Sequence, residues 1–224
     1  MPQSYFITGT DTGVGKTLVS CALLHAFSAR GRTVLGMKPI ATGCVNGEWM
    51  DVEAVVAASS VTAPREWVNS YSLIPPIAPH IAAKQAGIEI DIVVIRQACL
   101  KLQNIAEIVL VEGVGGFLTP LSDCHDGADM AHVLDLPVIL VVGMRLGCLN
   151  HALVTAQAVQ AIGLQLAGWV ANQIDPQMIS FDENVHTLTQ RLNCPLLGVL
   201  PFEQNVNAKK FSVLLDIAQL DENL

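Results

Sequence analysis

Short apolar runs alternate along the chain with segments whose apolar positions recur at helical spacing. Residues 5–8, 33–37, 108–111, 138–142, 168–170 and 196–200 predict strands. Most lack the polar alternation of a half-solvated strand, the pattern of a parallel sheet covered on both faces. Between them lie amphipathic or alanine-rich segments: 17–30, with Leu18, Cys21, Ala22 and Leu24 expected inward, 92–102 and 149–162. The βαβα order predicts an α/β fold, a doubly wound, mostly parallel sheet with helices on both faces. With no internal repeat, low-complexity tract or linker, residues 1–224 read as one domain. Residues 44–80 break the pattern, because Gly47, Pro64, Pro75, Pro76 and Pro79 interrupt them. They predict one helix over residues 51–59 inside a long loop, and loops of that length tend to be functional.

Composition narrows the function classes. Of 224 residues, 51% are hydrophobic and 14% are charged, which supplies one large core and excludes disorder as the main state. A net charge of -8 argues against a nucleic-acid or anionic-membrane surface, leaving room for a local basic site. No stretch approaches the ~18 apolar residues of a membrane span. The opening MPQSYFITGT has no basic or apolar leader pattern, so the chain reads as cytoplasmic. Six cysteines, Cys21, Cys44, Cys99, Cys124, Cys148 and Cys194, lie far apart without a C-x-x-C pair and read as small buried thiols.

Candidate chemistry concentrates where predicted strands end. Gly9-Thr10-Asp11-Thr12-Gly13-Val14-Gly15-Lys16-Thr17 joins the first strand to the first helix as a phosphate-binding loop. Its N–H groups turn inward, Lys16 reaches the outer phosphates, and the Thr17 hydroxyl ligates Mg²⁺. The usual spacing puts the first glycine where Thr10 stands. In Ile108-Val109-Leu110-Val111-Glu112-Gly113-Val114-Gly115-Gly116 an apolar strand ends in an acid, either a Mg²⁺ ligand in the same crevice or a solvated strand-end carboxylate. Lys38, in Met37-Lys38-Pro39-Ile40-Ala41-Thr42-Gly43, is either a second cation beside Lys16 or a snorkelling surface lysine.

Other positions read more broadly. Asp51 is by pattern an exposed helix-start acid, and Asn172 either meets a nucleobase edge or forms a turn. His125, Asp129 and His132 share a helical face, but Gly127 interrupts it, so helix-start acids with surface histidines are the simpler reading. Gly147-Cys148-Leu149-Asn150-His151 opens a helix whose free N–H groups suit a carboxylate.

These motifs, with Pro79-His80, Thr119-Pro120-Leu121, Leu146-Gly147-Cys148-Leu149-Asn150-His151-Ala152 and Ala167-Gly168-Trp169-Val170-Ala171-Asn172, run in order over nearly the whole chain and resemble the dethiobiotin synthetases. The resemblance implies a P-loop NTPase-like ligase that uses ATP and Mg²⁺ to close a ureido ring from 7,8-diaminononanoate and CO₂. The implied route passes through a carbamate and a carbamic-phosphoric anhydride, with release of ADP and phosphate. It implies catalytic roles for Lys16 and Lys38 and Mg²⁺ ligation by Thr17, Asp51 and Glu112. ATP would be held by Gly13, Val14, Gly15, Lys16, Thr17, Leu18, Asp51, Glu112, Gly113, Val114, Gly115, Asn172, Gln173, Pro201, Phe202 and Glu203. Substrate would meet Thr12, Thr42, Gly147, Cys148, Leu149 and Asn150, the last four from the neighbouring subunit of a homodimer. Three residues depart from the family pattern: Thr42 stands where Ser is frequent, Ala78 precedes the Pro-His pair where Ser is common, and Gln173 follows Asn172 where some members have Asp. The runner-up is an ATPase switch of the partition or septum-positioning type; such switches usually carry a second lysine inside the loop, and this chain has none before Lys16.

Overall fold

The computed structural model describes residues 3–221. Six parallel strands form the central sheet: β1 (Gln3–Gly9), β2 (Val34–Met37), β5 (Ile108–Glu112), β6 (Val138–Met144), β7 (Leu166–Gln173) and β8 (Leu196–Leu200), in the order β2-β5-β1-β6-β7-β8. Every residue of β2, β5 and β6 is buried, which explains why these strands carry no polar alternation. Burying each Val, Leu or Ile contributes roughly 1.5–3 kcal/mol. The sheet thus forms a rigid floor, with the carboxyl ends of its strands opening on one crevice.

Helices cover both faces, as a fully apolar sheet requires. The helix α1 (Lys16–Ala29) packs on β1, where Phe27 stacks on Tyr5 with ring centroids 6.4 Å apart, and it also contacts α2 (Met50–Ala58) and α9 (Ala208–Phe211). Elsewhere α5 (Ile92–Gln103) packs on α6 (Gly127–Leu134), and α7 (Cys148–Ala161) on α8 (Phe181–Arg191). The Asp91 carboxylate caps α5 by accepting from the Val93 N–H at 2.7 Å. Asp126 caps α6, and Asp126 and Asp129 form a capping box, so these two acids serve the helix start. Among the described residues no helix is long and apolar enough to cross a membrane.

The expected long loop is the main correction. Residues 44–80 contain α2, the short α3 (Arg65–Val68), β4 (Tyr71–Leu73) and the start of α4 (Pro79–Ala86). Their anchor is β3 (Ile40–Thr42), which pairs with β4 in a second, two-stranded parallel sheet. Pro39 separates β3 from β2: it has no N–H for a ladder, yet its carbonyl accepts from the Tyr71 N–H at 2.9 Å. The proline that looks like a breaker in sequence hands the chain from one sheet to the other.

The cysteines divide by environment. Cys21, Cys99 and Cys148 are buried as expected, whereas Cys44 and Cys194 are half-buried and Cys124 is exposed, and all six are free. Burial pushes Cys21, Cys99 and Cys194 up to about 12, and thiolate is the reactive form. An aromatic disulfide reagent at neutral pH is therefore expected to modify Cys124 first in the native protein and to reach Cys21 and Cys99 only after unfolding. Mapping the labelled peptides against time checks this; early label on Cys21 contradicts the packing of α1.

Candidate active site

The loop between β1 and α1 is held by its neighbours as much as by its glycines. A Cβ on Gly9 would stand 2.6 Å from Val14 Cγ2 and 3.0 Å from Lys16 Cγ, so the close approach falls one residue before the usual glycine position. Thr10, which takes that position, ties the loop to β6. Its N–H donates to the Val141 carbonyl at 3.0 Å, and its hydroxyl accepts from the Gly143 N–H at 3.3 Å. Gly15 lies at φ +91°, and a Cβ there would meet Asn172 Nδ2 at 2.2 Å. Asn172, buried near the end of β7, donates that amide to the Val14 carbonyl at 2.8 Å.

Lys16 Nζ donates to the Asp11 carbonyl at 2.8 Å. The Asp11 carboxylate accepts from the Thr12 N–H at 2.7 Å and pairs with Arg145 Nη2 at 2.6 Å. Arg145 immediately follows β6, and nothing in the sequence pattern signals its part in the loop.

The acid and the second lysine meet across the sheet. Lys38, one residue beyond β2, is 2% exposed, and Glu112, the last residue of β5, is 1% exposed. Neither is a surface group, so the snorkelling-lysine and solvated-acid readings fall. Lys38 Nζ donates to Glu112 Oε1 at 2.5 Å and to the Gly113 carbonyl at 2.9 Å, and it lies 3.4 Å from Asp51 Oδ2. The Thr17 hydroxyl donates to the same Glu112 oxygen at 2.7 Å. Asp51 occupies the first turn of α2 with its side chain 52% exposed: a helix-start acid that also faces the buried lysine.

Electrostatics separates the two lysines. Burial, reinforced by the charge on Lys38, lowers the Lys16 pKa to about 8, although Glu112, Asp51 and Asp11 oppose the shift. Burial also works against charge on Lys38, but the Glu112 and Asp51 carboxylates outweigh it and hold its pKa above the ordinary lysine value. Lys38 thus stays a cation at neutral pH, while Lys16 sits near its titration point.

A consequence follows for anionic ligands. An anion on Lys16 favours its protonated form, so affinity falls as pH rises through about 8, approaching tenfold per pH unit. ADP titrations in constant Mg²⁺ between about pH 7 and about pH 9 are expected to show this decline. Flat affinity across that window would contradict contact between Lys16 and the phosphates.

Lys16, Thr17, Lys38, Thr42, Asp51 and Glu112 line one cleft of about 770 Å³, with Thr12, Gly13, Gly15, Val114 and Gly115 around them. Pro76, Ile77, Ala78 and Pro79, which by sequence belong to the long loop, form a less polar wall of the cleft. Leu18 is half-buried in the first turn of α1, and Gly113 is buried beside Phe6. At the far side, the Phe202 N–H donates to Gln173 Oε1 at 3.4 Å, and Glu203, two residues beyond Pro201, pairs with Lys210. Gly147, Cys148, Leu149 and Asn150 open α7 but do not line this cleft.

The donor set suits a hard cation. Glu112 Oε2 is buried without a hydrogen-bond partner, and the Thr17 hydroxyl and Asp51 carboxylate flank the same acid. Two carboxylates and a hydroxyl fit Mg²⁺, which completes its oxygen shell with phosphate and water rather than with a protein cage. Among the described residues no group of three or more His, Cys, Asp or Glu side chains forms a metal cluster.

Comparison with known proteins points to one family. A family model described as "AAA domain" matches residues 3–210. The protein named ATP-dependent dethiobiotin synthetase BioD of Nitrosospira multiformis is 63% identical over 220 residues, 98% of this chain and 97% of that one. Its namesake from Aromatoleum aromaticum is 54% identical over 89% of this chain and 91% of its own. Among solved structures, the Pyrococcus furiosus cell division ATPase MinD superposes with a TM-score of 0.61 at 17% identity, covering 100% of both chains. The signal recognition particle receptor FtsY of Elizabethkingia anophelis gives a TM-score of 0.53 at 16% identity; the alignment takes in 95% of this chain but only 65% of the receptor. These structural likenesses establish the P-loop NTPase fold alone. Full-length identity with the synthetases decides the rest: the chain belongs to the ATP-dependent dethiobiotin synthetases, ligases of biotin biosynthesis.

Proposed function

We propose that this ligase forms dethiobiotin from 7,8-diaminononanoate, CO₂ and ATP within the cleft above β1, β2 and β5. The observation that carries the reading is the pair of buried lysines, Lys16 and Lys38, beside Glu112 in a cleft that also holds the glycine loop. Two cations suit a reaction in which a carbamate anion must approach a polyphosphate.

The chemistry proceeds in three steps. One amine of the diamine adds to CO₂ and loses a proton, giving a carbamate. A carbamate oxygen then attacks the γ-phosphorus, the bond to ADP breaks, and a carbamic-phosphoric anhydride forms. The second amine attacks the carbonyl carbon, phosphate leaves, and the ring closes as that amine gives up a proton. Lys38, held as a cation by Glu112 and Asp51, would hold the carbamate oxygens. Lys16 and the loop N–H groups would neutralise charge shifting between the γ- and β-phosphates. Thr17, Asp51 and Glu112 would hold Mg²⁺, which would supply further positive charge beside the phosphates. Thr12 and Thr42 would orient the diamine, and the wall of Pro76, Ile77, Ala78 and Pro79 would take its apolar methylenes. Asn172, Gln173, Pro201, Phe202 and Glu203 would border the adenine.

The chain is further proposed to act as one domain in a cytoplasmic homodimer, in which Gly147, Cys148, Leu149 and Asn150 of one subunit receive the substrate carboxylate of the other. Support comes from their position outside the cleft of their own chain and from Leu146, 96% exposed beside them. Six free thiols suit a reducing compartment. Phosphate release from a mixture of diaminononanoate, bicarbonate and MgATP, with each component omitted in turn, tests the reaction. Release that persists without the diamine would contradict it.

A further inference from the structure

Lys38 Nζ is surrounded as a small cation would be. Glu112 Oε1, the Gly113 carbonyl and Asp51 Oδ2 lie at 2.5, 2.9 and 3.4 Å, and the ammonium is shut off from solvent. Glu112 is used unevenly. Its Oε1 takes two donors, Lys38 and Thr17, while its buried Oε2 has no hydrogen-bond partner. An ionised carboxylate at this depth is tolerable only beside a compensating charge, and Lys38 supplies it.

We propose that Lys38 is a stand-in for the divalent cation: it occupies the carboxylates until a nucleotide-borne metal ion replaces it, and it excludes free metal ions meanwhile. This rests on the reading that Thr17, Asp51 and Glu112 hold the metal. A free dication would have to expel a buried ammonium from two carboxylates and the Gly113 carbonyl, and the charges of Lys16 and Lys38 already offset those of Glu112 and Asp51, which leaves little net attraction for it. A dication carried on phosphates brings its own anions. Once it takes Glu112 and Asp51, both lysines can turn to the phosphoryl oxygens and to the incoming carbamate. Metal-nucleotide binding and the freeing of Lys38 thereby become one event, and the lysine reaches the reacting atoms only when the phosphoryl donor is in place.

The test is Mn²⁺ binding to the full-length, nucleotide-free protein, followed by electron paramagnetic resonance of the free ion. Lys38→Met is expected to bind Mn²⁺ about tenfold more tightly than wild type or better, because an opposing buried charge is withdrawn from two carboxylates. Glu112→Gln added to Lys38→Met should abolish the gain. Equal affinity of Lys38→Met and wild type would overturn the proposal. Should Lys38→Met fail to fold, Lys38→Gln serves instead, and wild type offers a second readout. With ¹³C-labelled lysine, the Lys38 side-chain resonance should move on adding MgADP but not on adding ADP alone; an unmoved resonance also overturns the proposal. Failure of the underlying metal site looks different, since MnADP would then bind equally well to wild type and to Glu112→Gln.

Discussion

Lys38→Ala is expected to lower turnover by about 10² to 10³, the usual effect of removing one preorganised electrostatic donor, while nucleotide binding largely survives. The hydrogen bonds that shape the glycine loop do not run through Lys38: Lys16 rests on the Asp11 carbonyl, and Val14 is held by Asn172, while loss of the Lys38 charge removes one influence that lowers the Lys16 pKa. Stability should fall as well, because the substitution strands the buried Glu112 carboxylate, and breaking such a pair costs roughly 3–5 kcal/mol. Thr17 still donates to Glu112, which moderates that loss. Thermal melting therefore accompanies the assay, so that activity is compared only where both proteins are folded. ADP affinity by calorimetry separates the two effects. Near wild-type dethiobiotin formation by a folded Lys38→Ala protein would remove Lys38 from the chemistry, and loss of ADP binding would mean that it holds nucleotide instead.

What could be read in the sequence follows from how locally each feature is determined. β5 and β6 announce themselves because every residue is buried and each run is continuous. The glycine loop is legible because positive φ at Gly13 and Gly15 restricts the residue type at those positions. β3 and β4 are three residues each and pair only with each other across 28 intervening residues, so no local pattern marks them. The helix α8 is hard to see for a different reason: it fully buries only Leu188, with Phe181 and Val185 on the same face only partly buried against the core, so its apolar stripe is short amid polar residues. Within the cleft, Lys38 and Glu112 were visible as strand-end charges, but their burial depends on β2 lying beside β5 in the sheet, a non-local fact. The Asp11–Arg145 pair joins residues 134 apart and leaves no trace in either segment. Thr10 is a further case, since its hydrogen bonds to β6 show why a threonine can stand where spacing alone calls for glycine.

The second large effect expected is recovery of activity in hybrid dimers. If Lys38 serves the reacting end of a site and Asn150 receives the substrate carboxylate, Lys38→Ala removes the one and Asn150→Asp sets a like charge against the other, so each protein alone should be nearly inactive. If a site draws Lys38 from one subunit and Asn150 from the other, a hybrid dimer carries one doubly damaged site and one intact site. Random exchange makes half of all dimers hybrids with one working site in two, so an equal mixture should regain about a quarter of wild-type activity. A site built within one chain predicts no recovery, because every site would keep one defect. Sharing is proposed because Gly147 to Asn150 stand outside the cleft of their own chain and Asn150 is exposed on the first turn of α7. Subunit exchange is verified first with differently tagged proteins, and a monomer by sedimentation, or no recovery despite proven exchange, would contradict the composite site.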